Sequence, residues 1–154
     1  MSTAVRLHRI LPAPPETVYR AWLEPETMRR WFAPAGYGAA RAEVDPRVGG
    51  RHRIWHVDDD GNDVGGAEGV LIELVPAERI VLTWHFVGPD RSAPPAEETL
   101  LTITLRPGSA PGTTDLELEH SRLDGLHAAH PDIVSGIKPG WSTALARLAT
   151  TLEP

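Results

Sequence analysis

Near the C-terminus, Trp141, Leu145, Leu148 and Leu152 recur at spacings of four, three and four. On a helix these side chains make one apolar stripe. A long amphipathic helix is therefore expected from Gly140 to Leu152. Nearly everything before it reads as short alternating strands. Such a stripe has one evident place to be buried, the face of a curved antiparallel sheet. A bent sheet has more inner surface than one helix can cover, so a cavity between the two is expected.

The chain of 154 residues is long enough for one domain with its own core, and 41% of its residues are hydrophobic. A single domain over 1–154 is expected. Net charge is −6, with the two signs interspersed and Lys138 the only lysine. That balance argues against nucleic acid and anionic membrane surfaces as partners. Without cysteine, disulfides and thiolate chemistry are excluded. No apolar run approaches the roughly 20 residues of a membrane span. Arg6, His8 and Arg9 fall where a signal-peptide core would lie, and a cytoplasmic location is expected.

Val5, Leu7 and Ile10-Leu11 suggest a first strand ended by Pro12. Pro14-Pro15-Glu16 and Pro25-Glu26 open two short helices, with Val18 and Trp22 on one face of the first and Met28, Trp31 and Phe32 on the second. Pro34 and Gly36 should stop the second helix. Strands follow from Ala42 to Val44, Arg51 to Val57, about Gly66 to Val75, Ile80 to Phe86, Thr99 to Leu105 and around Leu116 to His120. In the fourth, alternation sets Val70, Ile72 and Leu74 on one face and Glu73 on the other. The third is open in phase: His52, Ile54 and His56 share one face, Arg53, Trp55 and Val57 the other. Residues 124–138 read either as a helical segment interrupted by Pro139 or as a loop that Pro139 closes. The fold class is α+β, a curved antiparallel sheet around a long C-terminal helix, with two short helices after the first strand.

Several strings in this order resemble a known family. They are Val18-Tyr19-Arg20-Ala21-Trp22, Met28-Arg29-Arg30-Trp31-Phe32-Ala33-Pro34, Asp45-Pro46-Arg47-Val48-Gly49-Gly50, Glu73 through Trp84, and Gly140-Trp141 ahead of the leucines. Over about residues 3–153 the chain resembles the activator of heat-shock protein 90 ATPase-like family. That family lies in the START / Bet v 1-like (SRPBCC) helix-grip superfamily. Pro139 departs from the helix-compatible residues usual there. The resemblance implies a ligand-holding cavity and no shared catalytic motif. The family's name comes from a co-chaperone, which implies a chaperone partner and a stress-response role as the alternative.

Candidate site residues follow from the inward faces. Ile54, Ile72, Leu82, Trp84, Phe86, Leu101, Ile103 and Leu118 would form walls, and Leu145 would face them from the helix. Trp31, Phe32 and Trp141 would shape the entrance. Large flat side chains suit an apolar or aromatic guest. His52, His56 and His120 would supply polar contacts, since imidazole can bind, donate or accept near neutral pH. His52 and His56 lie about 13 Å apart by strand rise, too far to chelate one ion, and neither metal nor cofactor is expected. Gly-x-Ser-x-Gly is absent, and Gly49-Gly50 lacks phosphate-loop spacing. Glu73 reads as solvent-facing, Asp45 and Arg47 as a structural pair, and Asp58 to Asp63 as a solvated hairpin rather than a calcium loop. The expected function is binding of a small, largely apolar or aromatic molecule. The alternatives are a co-chaperone-like interaction module and a histidine-assisted enzyme using the same cavity, with enzymatic activity the weaker expectation. Monomer and homodimer are both open.

Overall fold

A computed structural model describes residues 4–32, 38–90 and 92–153. The elements are β1 (Val5–Leu11), α1 (Pro15–Ala21), α2 (Pro25–Trp31), β2 (Gly38–Val44), β3 (Arg51–Val57), β4 (Asp63–Val75), β5 (Arg79–Val87), β6 (Thr99–Pro107), β7 (Thr114–Ser121), α3 (Asp124–Ala129) and α4 (Pro131–Leu152). The expected Pro34 and Gly36 helix stop lies outside the described residues. The seven strands form one curved antiparallel sheet in the order β1-β7-β6-β5-β4-β3-β2. The first two strands thus occupy opposite edges, and α1 and α2 make the connection. Proline at the start of each helix presets φ where a free N–H would have no partner. Helix α1 packs on β6, while α2 packs on β2 and α4.

Period-two patterning sets the sheet faces. In β6, Thr99, Leu101, Ile103 and Leu105 are buried, and in β7 Thr114, Leu116, Leu118 and His120 are buried, with Leu101 opposite His120 and Ile103 opposite Leu118. In β5, Ile80, Leu82 and Trp84 are buried. The phase of β3 resolves with His52 and Ile54 buried and His56 half-buried in the cavity wall. Trp55 on the opposite face is covered by the Arg41 guanidinium, 4.5 Å from its ring.

Strand β4 corrects the simple alternation. Leu71 is fully buried, whereas Val70 and Ile72 face solvent, Ile72 at 46% exposure. The register slips between Leu71 and Glu73, so that Leu71 opposes Leu82 and Glu73 opposes Val81. Ile72 is the extra residue of a β-bulge. It flips the phase, and Leu74 packs on the core instead. Ile72 is therefore no cavity wall. Glu73 faces solvent as expected, paired with Arg79 at 2.9 Å.

The final helix also begins earlier than Gly140. It runs unbroken from Pro131 through Pro139 to Leu152. Ile133 and Val134 pack on the core and Ile137 is buried, so the apolar stripe extends two turns before Trp141. A proline inside a helix loses one hydrogen bond and crowds the carbonyl four residues back. Burying an isoleucine, worth about 1.5–3 kcal/mol, offsets much of that.

Turns follow the expected chemistry. Arg47 Nε lies 2.7 Å from Asp45 Oδ2. Asp58 Oδ1 accepts from the backbone of Asp60 at 3.0 Å and Asn62 at 2.9 Å, closing the hairpin loop.

Candidate functional site

Between the sheet and the first half of α4 lies a cavity of about 330 Å³. The strands contribute His56, Val64, Gly66, Ala67, Trp84, Phe86 and Val87, and the helix contributes Asp132, Ile133, Gly136, Ile137, Gly140, Trp141 and Ala144. Phe32, just after α2, completes the lining. The wall is mostly apolar, and exposed Asp132 and Gly136 mark its solvent side.

Of the candidate residues, Phe32, His56, Trp84, Phe86 and Trp141 line this space. Ile54, Leu82, Leu101, Ile103, Leu118 and Leu145 are packed in the core instead. Trp31 is fully buried and donates its indole N–H to Ala21 O at 3.2 Å, so it braces the short helices rather than forming an entrance. The lining residues not anticipated are mainly small ones. Gly136, Gly140 and Ala144 recur every four residues along α4, and Gly66-Ala67 is their counterpart on the sheet. That i, i+4 run of small residues was visible in the sequence, but a search for bulky walls passes over it.

An aromatic cluster borders the cavity. Phe32 stacks on Trp84 with centroids 5.7 Å apart, and Trp141 lies 5.2 Å from Trp84 and 5.5 Å from Phe32. Trp22 joins them 5.8 Å from Trp141. Such edge and offset contacts hold rings in fixed orientations.

Two of the three candidate histidines are structural. The Thr99 hydroxyl donates to Trp84 O at 2.8 Å, so it must accept from His120 Nε2, 2.7 Å away. His120 Nδ1 in turn accepts the Trp141 indole N–H at 3.1 Å. Both ring nitrogens are used, the Nε2–H tautomer is fixed, and burial pushes the pKa down to about 4. His52 donates from Nε2 to Trp22 O at 2.9 Å. Burial lowers its pKa to about 4, with the bond to Trp22 opposing the shift.

His56 is different. Burial, then the nearby Arg147 cation, hold its pKa at about 4, with Asp63 pulling the other way. Its Nδ1 has no hydrogen-bond partner, and neither does Trp84 Nε1. Both side chains belong to the cavity wall. The only other such buried side-chain atom among the described residues is Trp22 Nε1. Among the described residues, no group of three His, Cys, Asp or Glu side chains could hold a metal ion.

A curved antiparallel sheet gripping a long C-terminal helix, with a cavity between them, defines the helix-grip class. The sequence and structural comparisons make this specific. The activator of Hsp90 ATPase homolog 1-like family matches residues 12–153, and the chain belongs to that family. The Chromobacterium violaceum protein CV1439 is 34% identical, with 99% of each chain covered and a TM-score of 0.76. The Nitrosomonas europaea protein NE0264 is 28% identical over 97% of this chain and 93% of its own, with a TM-score of 0.73. A Silicibacter pomeroyi protein bearing the family's name shares the fold at 20% identity, covering 97% of both chains with a TM-score of 0.77. No protein of curated function matches the chain. Among the described residues, no helix is long and apolar enough to cross a membrane.

Proposed function

We propose that this protein binds a small, largely apolar molecule. The observation that carries the reading is the cavity of about 330 Å³ between β3–β5 and α4, set in an otherwise packed core. Its volume is at the small end of ligand pockets, which run to about 300–1,000 Å³. A compact ring compound suits it better than a two-chain lipid.

Catalysis through His52 or His120 is not favoured, because their hydrogen bonds go to backbone, Thr99 and Trp141. A chaperone partner rests on the family name. The exposed Val48, Val70 and Ile72 do not point to one partner.

The test is differential scanning calorimetry of the full chain with a panel of small aromatic and alicyclic alcohols, ketones and hydrocarbons, alongside mass spectrometry of whatever co-purifies. A ligand at a hundred times its Kd should stabilise the fold by about 2.7 kcal/mol. A panel that leaves the melting temperature unmoved, with nothing co-purifying, would overturn the reading.

A further inference from the structure

The two halves of α4 are held differently. From Trp141 on, the helix is tied to the sheet: the Trp141 indole donates to His120, Ser142 Oγ accepts from Arg9 Nη2 at 3.1 Å, and Leu145 and Leu148 are fully buried. Before Pro139 these ties stop. Of residues 131–138, Pro131, Asp132, Ser135, Gly136 and Lys138 are exposed, Ile133 and Val134 are half-buried, and only Ile137 is buried. Ser135 uses its hydroxyl inside the helix, on Asp132 O at 2.9 Å. Among the described residues, no side-chain hydrogen bond or ion pair ties 131–138 to another element.

Both ends of this stretch are weak points in the backbone. Pro139 has no N–H to give Ser135 O, and its ring crowds that carbonyl. At the other end, His130 alone separates α3 from α4, with a non-helical φ of −142° and ψ of 70°. The same stretch is one wall of the cavity, through Asp132, Ile133, Gly136 and Ile137. On the sheet side, Ala67 is only 3% exposed, so the closed form gives little direct access to that wall. Segments with few buried contacts open locally at less cost than the whole fold.

Building on the cavity-binding reading, we propose that residues 131–138 are the door of the cavity. They open locally between His130 and Pro139 to admit the guest, while α4 from Trp141 onward stays on the sheet. Ile137 is the latch, since its burial closes the door. A helix continuous through Pro139 would shut the cavity more firmly.

The experiment uses the chain's lack of cysteine. Ala67→Cys places a single thiol on the sheet wall. Its reaction with methyl methanethiosulfonate, followed by mass spectrometry of the full chain, reports how often that wall is reached. When closing is fast, the rate follows the population of the open form. Adding Pro139→Ala should slow labelling at least about fivefold. Adding Lys138→Gly, at an exposed position off the cavity wall, should speed it about threefold. Ala146→Gly makes a similar change to exposed helix on the anchored side and should leave the rate unchanged. A rate indifferent to Pro139→Ala would mean that the wall is reached through a standing opening, and would overturn the proposal. So would equal acceleration by Lys138→Gly and Ala146→Gly, the mark of whole-chain unfolding, or a thiol that never reacts in the folded protein. If Ala67→Cys does not fold, Ala144→Cys, also a buried wall position, carries the same series. No guest enters this measurement, so it can fail while the calorimetric panel above succeeds. A silent panel with these rates as expected would sink the binding reading and leave the local opening standing.

Discussion

The indole N–H of Trp141 on α4 donates to Nδ1 of His120 on β7 at 3.1 Å. This bond ties the final helix to the sheet beside the cavity. Thr99 holds the far side of the same imidazole, so the orientation of Trp141 depends on three elements at once. His120→Ala would leave the indole N–H and the Thr99 hydroxyl short of a partner and open a void. Urea denaturation should show a loss of about 3 kcal/mol or more. Trp141→Phe removes one bond and should cost less.

Stability should fall as the solution becomes acidic. His52 and His120 are held neutral down to about 4, against an ordinary value of 6.5. Between those values the unfolded chain binds protons that the folded chain refuses. Their stabilising contribution is complete above about pH 6.5 and is lost as pH falls toward 4. Each histidine should account for a change on the order of 3 kcal/mol. Denaturation curves at pH 7, 6 and 5 would test this, and a stability independent of pH across that range would contradict it.

The bulge in β4 makes a contrast between neighbours. Leu71→Ala removes a fully buried side chain and should cost about 2–5 kcal/mol. Ile72→Lys alters an outward-facing one and should stay within about 0.5 kcal/mol of the parent. Simple alternation along the strand predicts the reverse order. Chemical denaturation followed by circular dichroism distinguishes the two.

Pro139 lies exposed within α4. Pro139→Ala restores a backbone donor toward Ser135 O and removes the ring's crowding of that carbonyl. The variant should be more stable by about 1–2 kcal/mol, the interior penalty of proline being partly offset by the freedom alanine adds to the unfolded chain. Hydrogen exchange should slow most in residues 131–138. Unchanged exchange there would contradict this account.

The architecture was legible where physical signals agreed. In β6 and β7 each inward leucine or isoleucine is two residues from the next, so alternation alone identifies the buried face. Proline followed by glutamate marked both short helices. Strand β4 was not legible, because a bulge inserts one residue that period-two reasoning cannot see. Half of α4 was also obscured. Pro139 signals a break locally, while the burial of Ile137 that carries the helix through it is a tertiary effect. The cavity escaped for a related reason. Leu82, Leu101 and Leu118 do face inward, but against protein. The open volume lies where Gly136, Gly140 and Ala67 have too little side chain to close it.

Four of the five tryptophans, Trp22, Trp31, Trp84 and Trp141, belong to one ring cluster, while Trp55 packs under Arg41 on the opposite face of β3. Two of the clustered indoles form part of the cavity wall. A guest arriving there would alter their emission and leave the Trp55 signal as a steady background. If the proposed binding holds, the protein carries its own optical gauge of it, and unlabelled compounds can be screened by the light it already gives off.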